Sequence, residues 1–171
     1  MDRSPSQTVG PFFHEGLRWP DAHRVTFAEK GNALVLEGRL VDGAGAPVAD
    51  ALIETWQAAP TGGVPAPATG TSRPHGFGRT ETDAGGRFQI ETLMPGGAAP
   101  FLDVAIFARG LMKPLRTRIY LCSLEQARGD PALQALAASP RLGTIVAAPE
   151  SPGHFRWEGR LQGEGETVFF A

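Results

Sequence analysis

Two neighbouring stretches, FLDVAIF at residues 101–107 and LRTRIYLC at residues 115–122, decide the class of fold. The first is a short apolar run bounded by glycine and proline, which is typical of a buried strand. The second alternates between side chains on two faces, as a strand with a period of two residues requires. Its apolar face carries Leu115, Thr117, Ile119 and Leu121. The pair predicts two adjacent strands of a sheet.

The rest of the chain repeats this pattern of short strands and turns. DGAGAP at residues 42–47 and DAGG at residues 83–86 predict hairpin turns. Ser123 with Gln126, and Asp130 before Pro131, predict the start of a short helical segment. We therefore expect an all-β fold, an antiparallel β-sandwich of about eight short strands with one short helical excursion. The other predicted strands cover residues 33–41, 50–58, 77–82, 87–92, 143–148, 154–162 and 166–170.

Residues 1–32 differ from the remainder because glycine and proline recur too often for a regular element. We interpret them as an irregular N-terminal arm, whose Phe12, Phe13 and Trp19 would pack on the domain or on a partner. Residues 33–171 hold no linker and no repeat, so they are expected to form a single β-sandwich domain.

Composition excludes several classes of protein. The 171 residues are 42% hydrophobic and 20% charged, with a net charge of −2, so neither disorder nor binding to nucleic acid is expected. No apolar run is long enough to span a membrane, and the first residues lack the apolar core of a signal peptide. The chain is therefore expected to be cytoplasmic. Its single cysteine, Cys122, allows no internal disulfide and is interpreted as a small buried apolar residue.

The residue pattern offers few candidates for catalysis, metal binding or ligand binding. The histidines share no spacing typical of metal ligands and are interpreted as solvated or core-edge residues; they are His14, His23, His75 and His154. Asp103 interrupts an apolar strand, where it could simply point outward. Arg109 follows that strand and precedes Gly110, where its planar fork could bind a carboxylate, although an ordinary surface arginine is the simpler interpretation. The pattern alone thus predicts a fold class and no reaction.

Several segments taken together resemble a known family. They are SQTVGPFFH at 6–14, ETWQA at 54–58, GFGRT at 76–80, IFARG at 106–110, TRIY at 117–120 and QGEGETVFF at 162–170. In this order they resemble the alpha subunits of the protocatechuate 3,4-dioxygenases, which are intradiol ring-cleaving dioxygenases. The resemblance implies a β-sandwich paired with a homologous beta subunit. That partner would hold a ferric ion through two tyrosines and two histidines, and 3,4-dihydroxybenzoate and O₂ would react at the interface.

The resemblance also implies that this chain ligates no metal and supplies no catalytic residue. The ligand positions of the catalytic subunit fall on Val64, on the turn from Met94 to Gly97, and on Phe101 and Asp103, while the chain has one tyrosine, Tyr120. A self-sufficient iron dioxygenase is therefore not expected.

What this chain would contribute is part of the substrate site. The resemblance places Thr8, Gly10, Pro11 and Arg109 along the substrate, with Arg109 holding its carboxylate. The alternative is a non-enzymatic, transthyretin-like binding module, since turns such as DGAGAP also occur there. Such a module has no need of the SQTVGPFFH arm or of the IFARG strand end, which favours the dioxygenase subunit.

Overall fold

A computed structural model describes residues 7–10, 13–25, 31–66 and 75–170. Eight strands form in these residues, and the bounds of seven of them agree with the predicted ones to within about two residues at each end. The strands are β1 (Ala33–Val41), β2 (Leu52–Trp56), β3 (Phe77–Glu81), β4 (Arg87–Leu93), β5 (Phe101–Phe107), β6 (Leu115–Tyr120), β7 (Ala148–Ser151) and β8 (His154–Arg160).

The strands form two four-stranded sheets. Sheet A has the order β4-β1-β8-β7, and sheet B has the order β3-β2-β5-β6. Every pair within the sheets is antiparallel except β1 with β8, which run parallel with Leu36 opposite Phe155. The predicted β-sandwich is thus confirmed, with one parallel pair joining the first strand to the last.

The core lies between the sheets and follows the alternation that the sequence predicts. On β5, Leu102, Val104 and Ile106 point inward and are almost completely buried, whereas Asp103 points outward and is exposed. The facing sheet contributes Leu36 and Ile90, among other residues. Each such side chain contributes roughly 1.5–3 kcal/mol when fully buried, so this layer is what holds the two sheets together.

The two turns predicted to form hairpins reverse the chain but do not join paired strands. Asp42 and Asp83 each accept backbone N–H bonds through Oδ1, at 2.8–2.9 Å, and so form tight turns as expected. However, β1 and β4 belong to sheet A while β2 and β3 belong to sheet B, so both hairpin predictions are wrong. Turn chemistry fixes the reversal, whereas the apolar faces decide on which sheet the next strand lies.

Two of the three predicted closing strands are also wrong. The first half of the stretch predicted as a strand over 143–148 belongs to a 3₁₀ helix, Pro140–Ile145, which Ser139 caps and Pro140 begins. Residues 166–170 form no strand and pair only at one bridge, between Arg116 and Phe170. The chain there lies against the edge of β6, where the Thr117 hydroxyl donates to the Val168 carbonyl at 2.7 Å.

The helices are short. They are α1 (Phe13–Leu17), α2 (Leu124–Arg128), a 3₁₀ helix Pro131–Leu136 and the 3₁₀ helix described above. The predicted capping box of Ser123 and Gln126 and the Asp130 cap are both present. This helical segment covers Tyr120 and forms a second, smaller core on one end of sheet B with Leu133, Leu142 and Ile145. Within the described residues, no helix has the length and apolar character needed to cross a bilayer.

The described part of the arm lies along the open side of the sandwich. There the edge strands β3 and β4 present unpaired backbone groups. The Arg79 N–H donates to the Ala22 carbonyl at 2.8 Å, and the Glu91 N–H donates to the His23 carbonyl at 2.9 Å. The arm therefore bonds to one edge strand of each sheet and covers both.

Candidate functional site

The turn after β5 brings Thr8 of the arm next to the strand end that carries Arg109, and the resemblance assigns both residues to one site. Ala108 is buried and Gly110 has a φ of 89°, a backbone conformation that glycine adopts without strain. The Gly110 N–H donates to the Thr8 Oγ1 at 2.7 Å, across 102 residues of sequence. The arm and the strand end that carries Arg109 are thus joined directly.

Arg109 itself is paired with a residue that the sequence did not single out. Its Nη2 lies 2.9 Å from the Oδ2 of Asp50, and the two side chains are 58% and 48% exposed. Gly10 is exposed, and a β-carbon there would have no neighbour within 4 Å. Pro11 lies outside the described residues. Arg109 therefore has one anionic neighbour and an open surface around it.

The concave surface beside this turn is small. A cavity of about 120 Å³ lies between the arm and the turn. Ligand-binding pockets are typically about 300–1,000 Å³, so this cavity by itself is too small to enclose a ligand. The lining residues include Gln7, Val9, Phe107, Leu111 and Met112.

Arg79 fixes the arm on sheet B. Its Nε lies 2.9 Å from the Oε1 of Glu54, and its Nη1 donates to the Leu17 carbonyl at 2.9 Å. The guanidinium also lies 4.4 Å from the ring centroid of Trp19. One arginine thus binds the strand carboxylate, the end of α1 and an aromatic ring of the arm. The sequence indicated only that Arg79 belongs to a strand over residues 77–82, and no local pattern predicted this role.

The family resemblance implies an iron ion in the assembled enzyme. In this chain, the residues at the positions that correspond to the iron ligands of the catalytic subunit do not fit a metal ion. Val64 is 93% exposed on a loop, and Phe101 has no donor atom. The turn from Met94 to Gly97 offers no oxygen or nitrogen side-chain ligand. Asp103 alone could bind a hard cation, and one carboxylate makes no site.

Arg118 already occupies the surface beside Asp103. Its Nε lies 3.0 Å from the Asp103 Oδ1, and its Nη1 lies 3.5 Å from the Asp130 Oδ2. The guanidinium lies 4.1 Å from the ring centroid of Phe101, a geometry that stabilises a cation on an aromatic face. A permanent side-chain cation therefore pairs with both carboxylates and would repel a metal ion.

Tyr120 is equally unsuited to ferric iron. Its hydroxyl donates to the Asp130 Oδ2 at 2.7 Å, and burial together with this bond raises the pKa of Tyr120 well above its usual value. The phenol therefore keeps its proton, whereas iron is ligated by the deprotonated form. Among the residues that the structure describes, no three histidine, cysteine, aspartate or glutamate side chains lie close enough to hold a metal.

Comparison with known proteins identifies relatives over nearly the whole chain. A family model described as Dioxygenase (Dioxygenase_C) matches residues 10–104. The chain is 32% identical to the protocatechuate 3,4-dioxygenase alpha chain of Pseudomonas putida, and the match covers 99% of this chain and 96% of that one. It is 33% identical to the alpha chain of the same name from Burkholderia cepacia, with 99% and 98% covered.

Solved structures agree on the fold. The dioxygenase domain of a dioxygenase and carbohydrate-binding protein fusion from Streptomyces sp. SirexAA-E has a TM-score of 0.58 at 25% identity, with 95% of this chain and 99% of that one covered. Catechol 1,2-dioxygenase from Pseudomonas arvilla C-1 has a TM-score of 0.59 at 21% identity, with 82% and 55% covered, and supports the fold alone. The resemblance stated from the motifs is confirmed, and the family model matches more than half of the chain. This chain therefore belongs to the intradiol ring-cleaving dioxygenase family.

Proposed function

We propose that the chain is the alpha subunit of a protocatechuate 3,4-dioxygenase. The assembled enzyme would cleave 3,4-dihydroxybenzoate with O₂ to 3-carboxy-cis,cis-muconate. Two observations support this proposal. First, the relatives are named as alpha chains, and they match this chain over nearly their full length. Second, the chain has a dioxygenase fold in which the residues at the implied metal positions do not fit iron. The non-haem iron would then be held by a homologous beta subunit, with no ligand from this chain.

The contribution of this chain would be to bind and orient the substrate. The observation that carries this role is the joined pair of Thr8 and the Arg109–Gly110 turn, 2.7 Å apart at the hydrogen bond. Protocatechuate carries a carboxylate opposite its two hydroxyl groups, and an arginine fork pairs with a carboxylate through two parallel hydrogen bonds. Arg109 would hold that carboxylate, while Thr8, Gly10 and Pro11 line the same edge. Orientation of this kind lowers the barrier of a reaction that occurs on another subunit.

The arm would serve both subunits. We propose that residues 1–32 pack on the domain 33–171 and on the partner at once, because a wall with a cavity of about 120 Å³ needs a second surface to enclose a ligand. Gly10 supports this arrangement, since the open space around it leaves room for the close approach of another chain.

Arg109→Ala in the assembled enzyme tests the proposal. Truncating one partner of a charge pair at an interface costs about 2–5 kcal/mol, and the exposure of Arg109 favours the lower end. We expect kcat/KM for protocatechuate to fall about 30-fold, while kcat/KM for catechol, which has no carboxylate, stays nearly constant. Arg109→Lys should restore only part of the loss because a point charge lacks the fork.

An equal loss on both substrates would contradict the proposal, because it would mean that Arg109 holds the assembly together without contacting the substrate. Arg39→Ala is the matched control. Arg39 is an exposed arginine on sheet A, paired with Glu158 at 3.5 Å, and its removal should leave both substrates unaffected.

A further inference from the structure

We propose that Asp50 is a positioning residue, which holds the guanidinium of Arg109 ready for the substrate carboxylate. This inference rests on the proposed function of Arg109 and adds a residue to it. Asp50 lies at the corner where the chain leaves sheet A for sheet B, and its Oδ2 lies 2.9 Å from the Arg109 Nη2. The contact joins two segments 59 residues apart.

The carboxylate of Asp50 projects from a rigid corner. The buried hydroxyl of Thr82 donates to the Val48 carbonyl at 2.8 Å and accepts the Ala51 N–H at 2.9 Å, so both sides of Asp50 are fixed to one side chain. Asp50 itself has a φ of 59°. Aspartate adopts this left-handed conformation more readily than most residues other than glycine, but still at some cost in energy. Such strain persists only where the surrounding structure holds the backbone in place. The corner thus holds a carboxylate in one place.

The backbone of Arg109 is fixed on both sides, whereas its side chain is largely exposed and, within the described ranges, bonds only through Nη2. Ala108 before it is buried, and the N–H of Gly110 after it is bonded to Thr8. The long side chain would otherwise sample many rotamers, and ordering it on substrate binding would cost affinity. Asp50 is its one acceptor among the residues described here. Pairing with Asp50 removes most of that freedom before the substrate arrives.

The pair still leaves room for a second carboxylate. A guanidinium has five N–H groups arranged along two edges that can each pair bidentately. Asp50 contacts a single nitrogen, Nη2, through a single oxygen. Whichever edge Asp50 occupies, the other edge keeps two donors for the substrate. The two carboxylates would then lie on different edges of the guanidinium, which keeps them apart.

Two substitutions in the assembled enzyme test this role. Asp50→Gly removes the carboxylate, and glycine adopts the φ of 59° without strain, so the variant should fold. Asp50→Asn keeps a side chain suited to this backbone and an acceptor oxygen without the charge. We expect Asp50→Gly to raise KM for protocatechuate about fivefold, the loss typical of one hydrogen bond, and Asp50→Asn about twofold. The kcat for protocatechuate and the kcat/KM for catechol should hardly change.

The matched control is Glu158→Ala, which removes an exposed carboxylate from the exposed Arg39 on the other sheet and should change neither substrate. An unchanged or lowered KM in Asp50→Gly, together with the loss expected for Arg109→Ala, would overturn the role of Asp50 and leave that of Arg109 intact. A similar loss on both substrates in Asp50→Gly would also overturn it, because a merely structural corner would produce that result. If Arg109→Ala does not discriminate between the substrates, the proposed function fails first and the inference with it.

Discussion

Arg79→Met should release the arm from sheet B. The side chains of Arg79 and Glu54 are only 15% and 17% exposed, so removing the arginine leaves a largely buried carboxylate without its partner. Breaking such a pair costs about 3–5 kcal/mol. The substitution also removes the bond to the Leu17 carbonyl and the contact with Trp19. These two interactions together contribute about 2 kcal/mol, and they are the part of the loss that frees the arm from sheet B.

Limited proteolysis with trypsin measures the arm directly. Arg18 pairs with Glu81, and Arg24 pairs with Glu91 at 2.9 Å, so both cleavage sites are attached to the edge strands. Where opening is fast compared with cleavage, the rate follows the population of the open form. A loss of about 2 kcal/mol therefore predicts about thirtyfold faster cleavage after Arg18, which lies between Leu17 and Trp19. Cleavage after Arg24 should change less, because its neighbours bond to Glu91 on sheet A. Mass spectrometry of the full chain measures both rates.

Controls separate release of the arm from general unfolding. Arg39→Met removes an exposed arginine on sheet A, where a pair contributes about 0–1 kcal/mol, and should leave cleavage of the arm unchanged. Adding Glu54→Gln to Arg79→Met removes the stranded charge, so it should recover global stability without slowing cleavage of the arm. Equal cleavage rates in Arg79→Met and the wild type would refute the argument that Arg79 anchors the arm.

Two further predictions concern Arg118 and Tyr120, which lie beside the implied iron positions Phe101 and Asp103. Arg118→Leu should lower the thermal midpoint of the protein by about 5–10 °C, because it leaves the largely buried Asp130 without its cation and removes the cation from the ring of Phe101. Arg118→Lys should lower the midpoint by about half as much. A midpoint in calorimetry that changes by less than about 1–2 °C in Arg118→Leu would contradict the stabilising role of Arg118. Tyr120 should stay protonated in the folded chain above pH 10, since its pKa is raised by burial and by Asp130. Its contribution to stability is then complete below the pKa of an unfolded tyrosine, about 10, and is lost as the pH rises through the folded pKa. Because the chain has one tyrosine, absorbance near 295 nm reports this residue alone, and ordinary titration near pH 10 in the folded chain would contradict the prediction.

Most of the strands could be predicted from the sequence because they are short, largely apolar on alternate positions and separated by glycine or proline, whereas β7 is exposed along its whole length and carries no such pattern. The bounds of β1 and β5 agree with the prediction residue for residue. Alternation does not specify the partner of a strand, so the assignment of β2 and β4 to different sheets could not be predicted. The segment 166–170 failed for a related reason, since its apolar residues pack against an edge that offers them a single bridge.

The candidate site was predictable only in part. Thr8 and Arg109 entered through a resemblance of motifs, and the structure adds the hydrogen bond that joins their segments. Asp50 carried no signal, because its contact with Arg109 depends on a corner with a φ of 59° and on a neighbour 59 residues away. Arg118 alternates with Thr117 and Ile119 and therefore lies on the outer face of β6. Its contacts with Asp130 and Phe101 depend on a helical segment whose packing no local pattern specifies.

The central claim is that this chain works beside the iron without holding it, and elemental analysis of separated subunits tests it most directly. The complex with the beta partner should be purified, dissociated and analysed for iron in each chain before the chains are recombined. The account predicts that iron follows the partner, that this chain alone contains none and is colourless, and that protocatechuate cleavage returns only on mixing. Stoichiometric iron in this chain, or ring cleavage by this chain alone, would contradict the account.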